Sequence, residues 1–274
     1  MAAVDLGWHT ASVPFMRTLG VCWEGQDAAG IRMRLPCAPA VLDAAGTAVD
    51  LRAVVALLDQ AGGAAVYAAL PSVAAATLEL RVDVLGSPEP GQDVWAHACV
   101  HAQSHGSALV LGQAASGSLD AAAFMRMTAR YIVGSGPGQA PADGVYLARR
   151  AQAVARFAAA GAPAAGGFDG TLDGAATPGG WTLPFAERLV GSVTLPALHG
   201  GVVGAGLLTA AVRAGCASPA QRLSAMTVRY LRAARAEASM VTARLAKGGA
   251  RASFVQARLV QGERLVATAH CLFG

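Results

Sequence analysis

Asp59 stands in the middle of an apolar run, Val54-Val55-Ala56-Leu57-Leu58-Asp59-Gln60-Ala61, and His199-Gly200-Gly201-Val202-Val203 opens a second one. A carboxylate inside an apolar helix is costly unless it has a partner or a task. The tasks open to it are to activate water as a general base or to attack a carbonyl carbon directly. The first N–H groups of a helix lack intrahelical partners and lie at the positive end of its dipole, so the Gly200 end could stabilise an oxyanion. Glycines there would let a ligand carbonyl approach closely. Neither run holds both parts: the first opens on Asp50-Leu51-Arg52, and the second has Leu208 where an acid would stand. One site can be assembled from the two pieces.

The elements that must position these residues also come in two copies. Pro14-Phe15 before Leu19-Gly20 is echoed by Pro184-Phe185 before Val190-Gly191, and Val82-Asp83-Val84-Leu85 by Val228-Arg229-Tyr230-Leu231. The separation is not constant, so a fused and diverged duplication with loop insertions and deletions is expected. Residues 19–35 read as a hairpin turning over 24–30, and residues 50–70 as a long helix stopped by Pro71. Short alternating or β-branched stretches at 76–85, 93–104, 107–116 and 123–133 read as antiparallel strands. Residues 134–180 are rich in Gly, Pro and Ala, with a linker helix expected over 146–160. The second copy shows no evident counterpart of the opening hairpin. Its helix runs from His199 to about Gly215, with strands at 223–231, 238–245, 250–259 and 264–273. The resulting organisation is a first repeat over 1–134, a linker over 135–180 and a second repeat over 181–274.

With 54% hydrophobic and 14% charged residues, the chain of 274 residues should bury a large core. A net charge of +4, with its Lys and Arg scattered, suggests no nucleic-acid partner and suits an anionic small molecule. Residues 53–70 carry Asp59 and Gln60 near their centre, which argues against a membrane span. Cys22, Cys37, Cys99, Cys216 and Cys271 are widely spaced and form no Cys-x-x-Cys pair. They read as reduced thiols, and with no signal peptide evident a cytoplasmic location is expected.

At His199-Gly200-Gly201 and Asp59 the chain resembles the hotdog acyl-CoA thioesterases, in particular the phenylacetate-degradation type. That family's signature is an Asn-containing loop, His-Gly-Gly, and a helix with Asp or Glu nine positions after the His. The resemblance implies an α+β tandem double hotdog in which a curved antiparallel sheet wraps a long central helix in each repeat. It also implies one composite site between repeats: Gly200 N–H, with Gly201 beside it, polarises a thioester carbonyl, His199 shapes the turn, and Asp59 activates water or attacks. Thr77, eighteen residues after Asp59, would help hold the water. Leu208 would face Asp50-Leu51-Arg52 at a dead second site. The loop Asn has no clear match, with Asp43 near its place in one half and Val193 in the other. An acyl-CoA substrate, no metal or redox cofactor, and pairing of double-hotdog chains into a homodimer are further implications.

Other readings remain. Asp59 could be a satisfied buried carboxylate, and His199-Gly200-Gly201 merely a tight helix entry. The chain could be a noncatalytic acyl-thioester-binding or assembly module, or a hotdog hydratase or dehydratase acting on enoyl or hydroxyacyl thioesters. His97, His101 and His105, spaced by four, fall on a strand and its turn, which disfavours a metal site. Gly204-x-Gly206 and Gly134-x-Gly136-x-Gly138 lack the strand-turn-helix context of a nucleotide site. The absence of Gly-x-Ser-x-Gly argues against an α/β-hydrolase route. Arg149, Arg150, Arg229, Arg232, Arg235, Lys247 and Arg251 include cations that could meet coenzyme A phosphates.

Overall fold

The computed structural model describes residues 12–70, 75–104, 106–134, 166–192, 196–215, 218 and 220–274. The expected linker helix at 146–160, together with His105, Gly136, Gly138, Val193 and Cys216, lies outside them.

The first half runs α1 (Pro14–Leu19), β1 (Cys22–Asp27), β2 (Gly30–Leu35), α2 (Leu51–Ala69), β3 (Ala75–Val84), β4 (Val94–Ser104), β5 (Ser107–Ser116) and β6 (Met125–Val133). The second runs α3 (Gly167–Leu172), β7 (Ala175–Thr177), β8 (Gly180–Leu183), β9 (Val190–Ser192), β10 (Ala197–Leu198), α4 (Gly200–Arg213), β11 (Leu223–Tyr230), β12 (Ser239–Gly248), β13 (Ser253–Gln261) and β14 (Arg264–Phe273). A mixed α/β architecture dominated by one twelve-stranded sheet results, in the order β1-β2-β4-β5-β6-β3-β11-β14-β13-β12-β8-β7. All its pairings are antiparallel.

Read from either end, that order visits equivalent strands, so a pseudo-twofold axis passes between β3 and β11. The register across this seam is itself symmetric: Leu80 lies opposite Val228, Val82 opposite Met226, and Arg81 opposite Thr227 on the axis. Leu80, Val82, Met226 and Val228 are buried, which pins the register, because a one-residue slip would turn them to solvent. Arg229 and Glu79 pair on the exposed face of the seam at 2.8 Å, a contact that contributes little by itself.

Helix α2 packs on β2 to β6 and α4 on β8 and β11 to β14, and the two helices also pack on each other. Every residue of α2 from Ala53 to Gly62 is buried. An all-round apolar helix needs partners on all sides, and here the sheet covers one side and α4 the other.

Two features of the sequence fall elsewhere than expected. The second half does have an opening hairpin, β7–β8; its strands have three and four residues, too short for alternation to reveal them. The Pro-Phe pairs are not structural equivalents either: Pro14-Phe15 opens α1, whereas Pro184-Phe185 follows β8. In the first hairpin the turn is shorter than 24–30, because the Asp27 carboxylate accepts hydrogen bonds from Ala29 and Gly30 N–H and lets β1 continue to Asp27.

Candidate active site

Asp50 and His199 occupy the same place on their helices. Asp50 is the N-cap of α2 and its carboxylate accepts from Arg52 N–H at 2.8 Å. His199 is the N-cap of α4 and its Nδ1 accepts from Gly201 N–H at 2.9 Å. A side-chain acceptor on an orphan first-turn N–H is what caps a helix start. Asp59 on α2 then corresponds to Leu208 on α4, and Gln60 to Thr209.

The pseudo-axis brings the capped end of each helix against the middle of the other. At one end Asp59, Gln60, His199 and Gly200 line a cleft of about 430 Å³, with Thr77, Tyr131 and Tyr230 on its walls. Asp59 Oδ1 accepts from the Thr77 hydroxyl at 3.0 Å, and Asp59 Oδ2 lies 3.6 Å from His199 Nδ1. The Thr77 hydroxyl proton is thus held by Asp59, which leaves the hydroxyl oxygen to accept from water. A bulge between Thr77 and Glu79 interrupts the β3–β6 register, and such bulges re-aim neighbouring side chains. The Tyr131 hydroxyl donates to the Asp59 carbonyl at 3.0 Å and the Tyr230 hydroxyl to the Gly200 carbonyl at 3.1 Å, tying both backbones to the sheet.

The two glycines owe their place to protein neighbours. A Cβ on Gly200 would stand 2.5 Å from Asp59 Oδ2, and one on Gly201 would stand 2.5 Å from Ala56 Cα and Cβ. Gly201 therefore permits the close crossing of α2 and α4. Its N–H is also committed to His199. Gly200 N–H donates no hydrogen bond among the described residues.

Burial pushes the Asp59 carboxyl above the usual range, opposed by His199, the Thr77 hydroxyl and Gly201 N–H. Burial likewise pushes His199 below its ordinary value, with Asp59 opposing. With Nδ1 accepting from Gly201, the neutral imidazole carries its proton on Nε2, which lies 3.1 Å from Gln60 Oε1. Both ring nitrogens are thus engaged in hydrogen bonds within the protein. Burial also raises Tyr131 and Tyr230 well above their usual range, so both remain neutral donors.

The opposite end is plugged. The Arg52 guanidinium meets the Asp50 carboxylate through two nitrogens, at 2.9 and 2.6 Å, and reaches Asp169 at 2.6 Å and the Thr209 hydroxyl at 2.9 Å. It stacks on Phe168 at 5.3 Å, as His199 rests against Phe15 at 5.5 Å. Arginine fills the room that Gly201 leaves at the other end, and apolar Leu208 stands where Asp59 would be.

Gln60, Tyr131 and Tyr230 were not singled out by sequence. Gln60 had a signal, being a second polar residue beside Asp59 in an apolar run; the tyrosines sit in ordinary strand patterns. Asp43 is not brought to the cleft: its carboxylate accepts from Thr47 N–H within its own turn. Among the described residues no three His, Cys, Asp or Glu gather to hold a metal, and no helix is long and apolar enough to cross a membrane.

Residues 191–274 match the family described as acyl-CoA thioesterase N-terminal domain. The match contains His199-Gly200-Gly201 and all of α4 to β14; Asp59 lies outside it. Similar solved structures include a tesB protein of Mycobacterium avium subs paratuberculosis, 14% identical over 94% of this chain and 97% of that one, with a TM-score of 0.57. An acyl-ACP thioesterase from Bacteroides thetaiotaomicron VPI-5482 is 9% identical over 89% of this chain and 97% of its own, with a TM-score of 0.57. A 12:0-ACP thioesterase from Umbellularia californica is 9% identical over 89% of this chain and 93% of its own, also at 0.57. At such identities the likeness is one of fold. No curated protein matches the chain in sequence. The second half thus carries an acyl-CoA thioesterase domain signature on a hotdog fold, and this supports a thioester hydrolase.

Proposed function

We propose that the chain is an acyl-CoA thioesterase of double-hotdog architecture, with one composite site that hydrolyses an acyl- or aryl-CoA thioester. The observation that carries this reading is the apposition of Asp59 from α2 with the capped N-terminus of α4, so close that a single Cβ on Gly200 would collide with the carboxylate. Small and apolar residues, Val13, Gly63, Ala64, Ala75, Ala76 and Ala234, are among the other residues of the cleft wall and suit an apolar acyl group, while Arg232 also reaches the wall.

Asp59 acts as general base. One of its oxygens is held by Thr77 and the other is pressed against Gly200, which favours a small bridging water over a bulky acyl–carboxylate bond. Water attacks the carbonyl carbon, its proton passes to Asp59, and the carbonyl oxygen takes the negative charge beside Gly200 N–H. Collapse of the tetrahedral intermediate breaks the C–S bond. The departing thiolate recovers the proton from Asp59, leaving acid, thiol and the starting carboxylate. Burial makes Asp59 a stronger base than a free carboxylate, the tuning that general-base catalysis near neutral pH requires.

Free-thiol release from short, medium, long and aryl acyl-CoAs tests the reading. Leu208→Ala should keep wild-type turnover while losing about 2–5 kcal/mol of stability, as buried Leu→Ala changes do. Turnover lost on Leu208→Ala at full folding would break the single-site assignment, and stabilisation by acyl-CoA without any turnover would make the chain a binding module. A single turnover in ¹⁸O-water with enzyme in excess should place the label in the released acid. Label appearing first in the Asp59 carboxylate would make Asp59 the nucleophile.

A further inference from the structure

The hydrogen-bond chain at the start of α4 has a fixed direction, and it ends in the cleft. Gly201 N–H donates to His199 Nδ1 at 2.9 Å, so that nitrogen presents its lone pair. The imidazole proton is therefore on Nε2, and the group facing it at 3.1 Å must be the oxygen of the Gln60 carboxamide. The amide orientation, often ambiguous, is set here by a backbone donor. The Gln60 NH₂ group is left over. It makes no hydrogen bond among the described residues, although Gln60 is only 8% exposed, and Gln60 lines the same cleft as Asp59 and Gly200. The amide nitrogen is open to the cleft, where the oxygen of a water or of a ligand can accept from it.

We propose that Gln60 is a catalytic residue, its carboxamide N–H being the second donor to the thioester carbonyl oxygen. This rests on the thioesterase reading above. Gly201 N–H, the obvious second donor, is spent on the His199 cap, so the backbone offers only Gly200. Gln60 replaces what the cap removes. Its donor also lies one residue from the base: as the water proton moves to Asp59, negative charge leaves the carboxylate and grows on the carbonyl oxygen, where Gly200 and Gln60 receive it. The plugged end repeats the arrangement without the function, since Thr209, the counterpart of Gln60, has its hydroxyl bonded to the Ala205 carbonyl and to Arg52.

Gln60→Glu separates donation from support. The introduced carboxylate can still accept from His199 Nε2–H and keep the cap, but it has no hydrogen to give the cleft. With wild-type thiol release established first, kcat at the high-pH plateau should fall by about 100- to 1,000-fold, the loss seen on removing one oxyanion donor. Histidine ¹⁵N spectra should still show the Nε2–H tautomer. Gln60→Met removes the donor without adding charge. With a ¹³C=O-labelled ketone analogue of acyl-CoA, in which methylene replaces sulfur, the bound carbonyl stretch should lie lower in the wild type than in either variant. A Gln60→Glu protein within about threefold of wild-type kcat, or an unchanged carbonyl frequency in both variants, would reduce Gln60 to a support for His199. No thiol release by the wild type from any acyl-CoA would overturn the thioesterase reading, and this assignment with it.

Discussion

Asp59→Asn is expected to lower kcat by about 10²–10⁴-fold, the usual contribution of a general base, while raising the thermal stability of the protein at neutral pH. The two effects share one cause. The Asp59 carboxyl is held above its ordinary value of 3.8, first by burial, against the opposing influence of His199, Thr77 and Gly201. From pH 3.8 up to the raised value the folded protein keeps a proton that the unfolded chain has released. Stability therefore falls as pH rises through that window, and the full cost is present above it. Asparagine keeps the oxygen that accepts from Thr77 and carries no charge, so the melting temperature of the variant should pull ahead of wild type as pH rises and then level off. Below pH 3.8 the two should coincide. His199 has the opposite sign: in the wild type its value lies below 6.5 because burial outweighs the attraction of Asp59, so stability is lost as pH falls from 6.5 toward the lowered value. A melting-temperature difference that stays flat with pH would mean that the Asp59 charge costs nothing in the fold. Unimpaired turnover would remove Asp59 from the chemistry.

Arg52→Met should lower stability markedly and have little effect on activity. Arg52 is 14% exposed and Asp50 11% exposed, and four hydrogen bonds join the guanidinium to Asp50, Asp169 and Thr209. Burial alone would lower the pKa of Arg52, but Asp50 and Asp169 raise it on balance, so the charge is fully retained. Removing one partner of a buried ion pair strands the other and costs about 3–5 kcal/mol. The lower end applies here, because Asp50 keeps the Arg52 backbone N–H as a donor and Asp169 is mostly exposed. Urea unfolding should show an earlier midpoint at unchanged slope. Arg52 stands seven residues before Asp59 on α2, roughly 10 Å along the axis, so thiol release per folded molecule should stay near wild type. A comparable loss of kcat would show that the plugged end also serves the reaction.

Much of this architecture is local in origin and can be read along the chain. The ten consecutive buried positions from Ala53 to Gly62 announce a helix surrounded on all sides, and alternating stretches locate β3 to β6 within a residue or two. The Val82 and Val228 segments proved to be equivalents about the seam. Asp59 and His199-Gly200-Gly201 stood out because a charge in an apolar run and glycines at a helix start are anomalies against a regular pattern. The short hairpin β7–β8 and the false kinship of the Pro-Phe pairs mark the limit: a three-residue strand has no period to detect, and a dipeptide is too small to fix an alignment.

The sequence by itself determined which residue types could do chemistry and which helices carry them, since capping and hydrophobic periodicity depend on neighbours within a few positions. That Asp59 faces Gly200 was implied by the family resemblance; only the tertiary structure decided how closely they meet, that the Arg52 side chain fills the opposite end, and that Gly201 serves a helix crossing and a histidine cap. It also decided which way Gln60 points. Those outcomes depend on how closely α2 and α4 approach, and the approach is set by the room left where each helix start meets the other's middle: none is taken by Gly200 and Gly201, and all of it by an arginine at the other end. Distances across a pseudo-axis between residues far apart in the chain follow from packing, which no local pattern encodes.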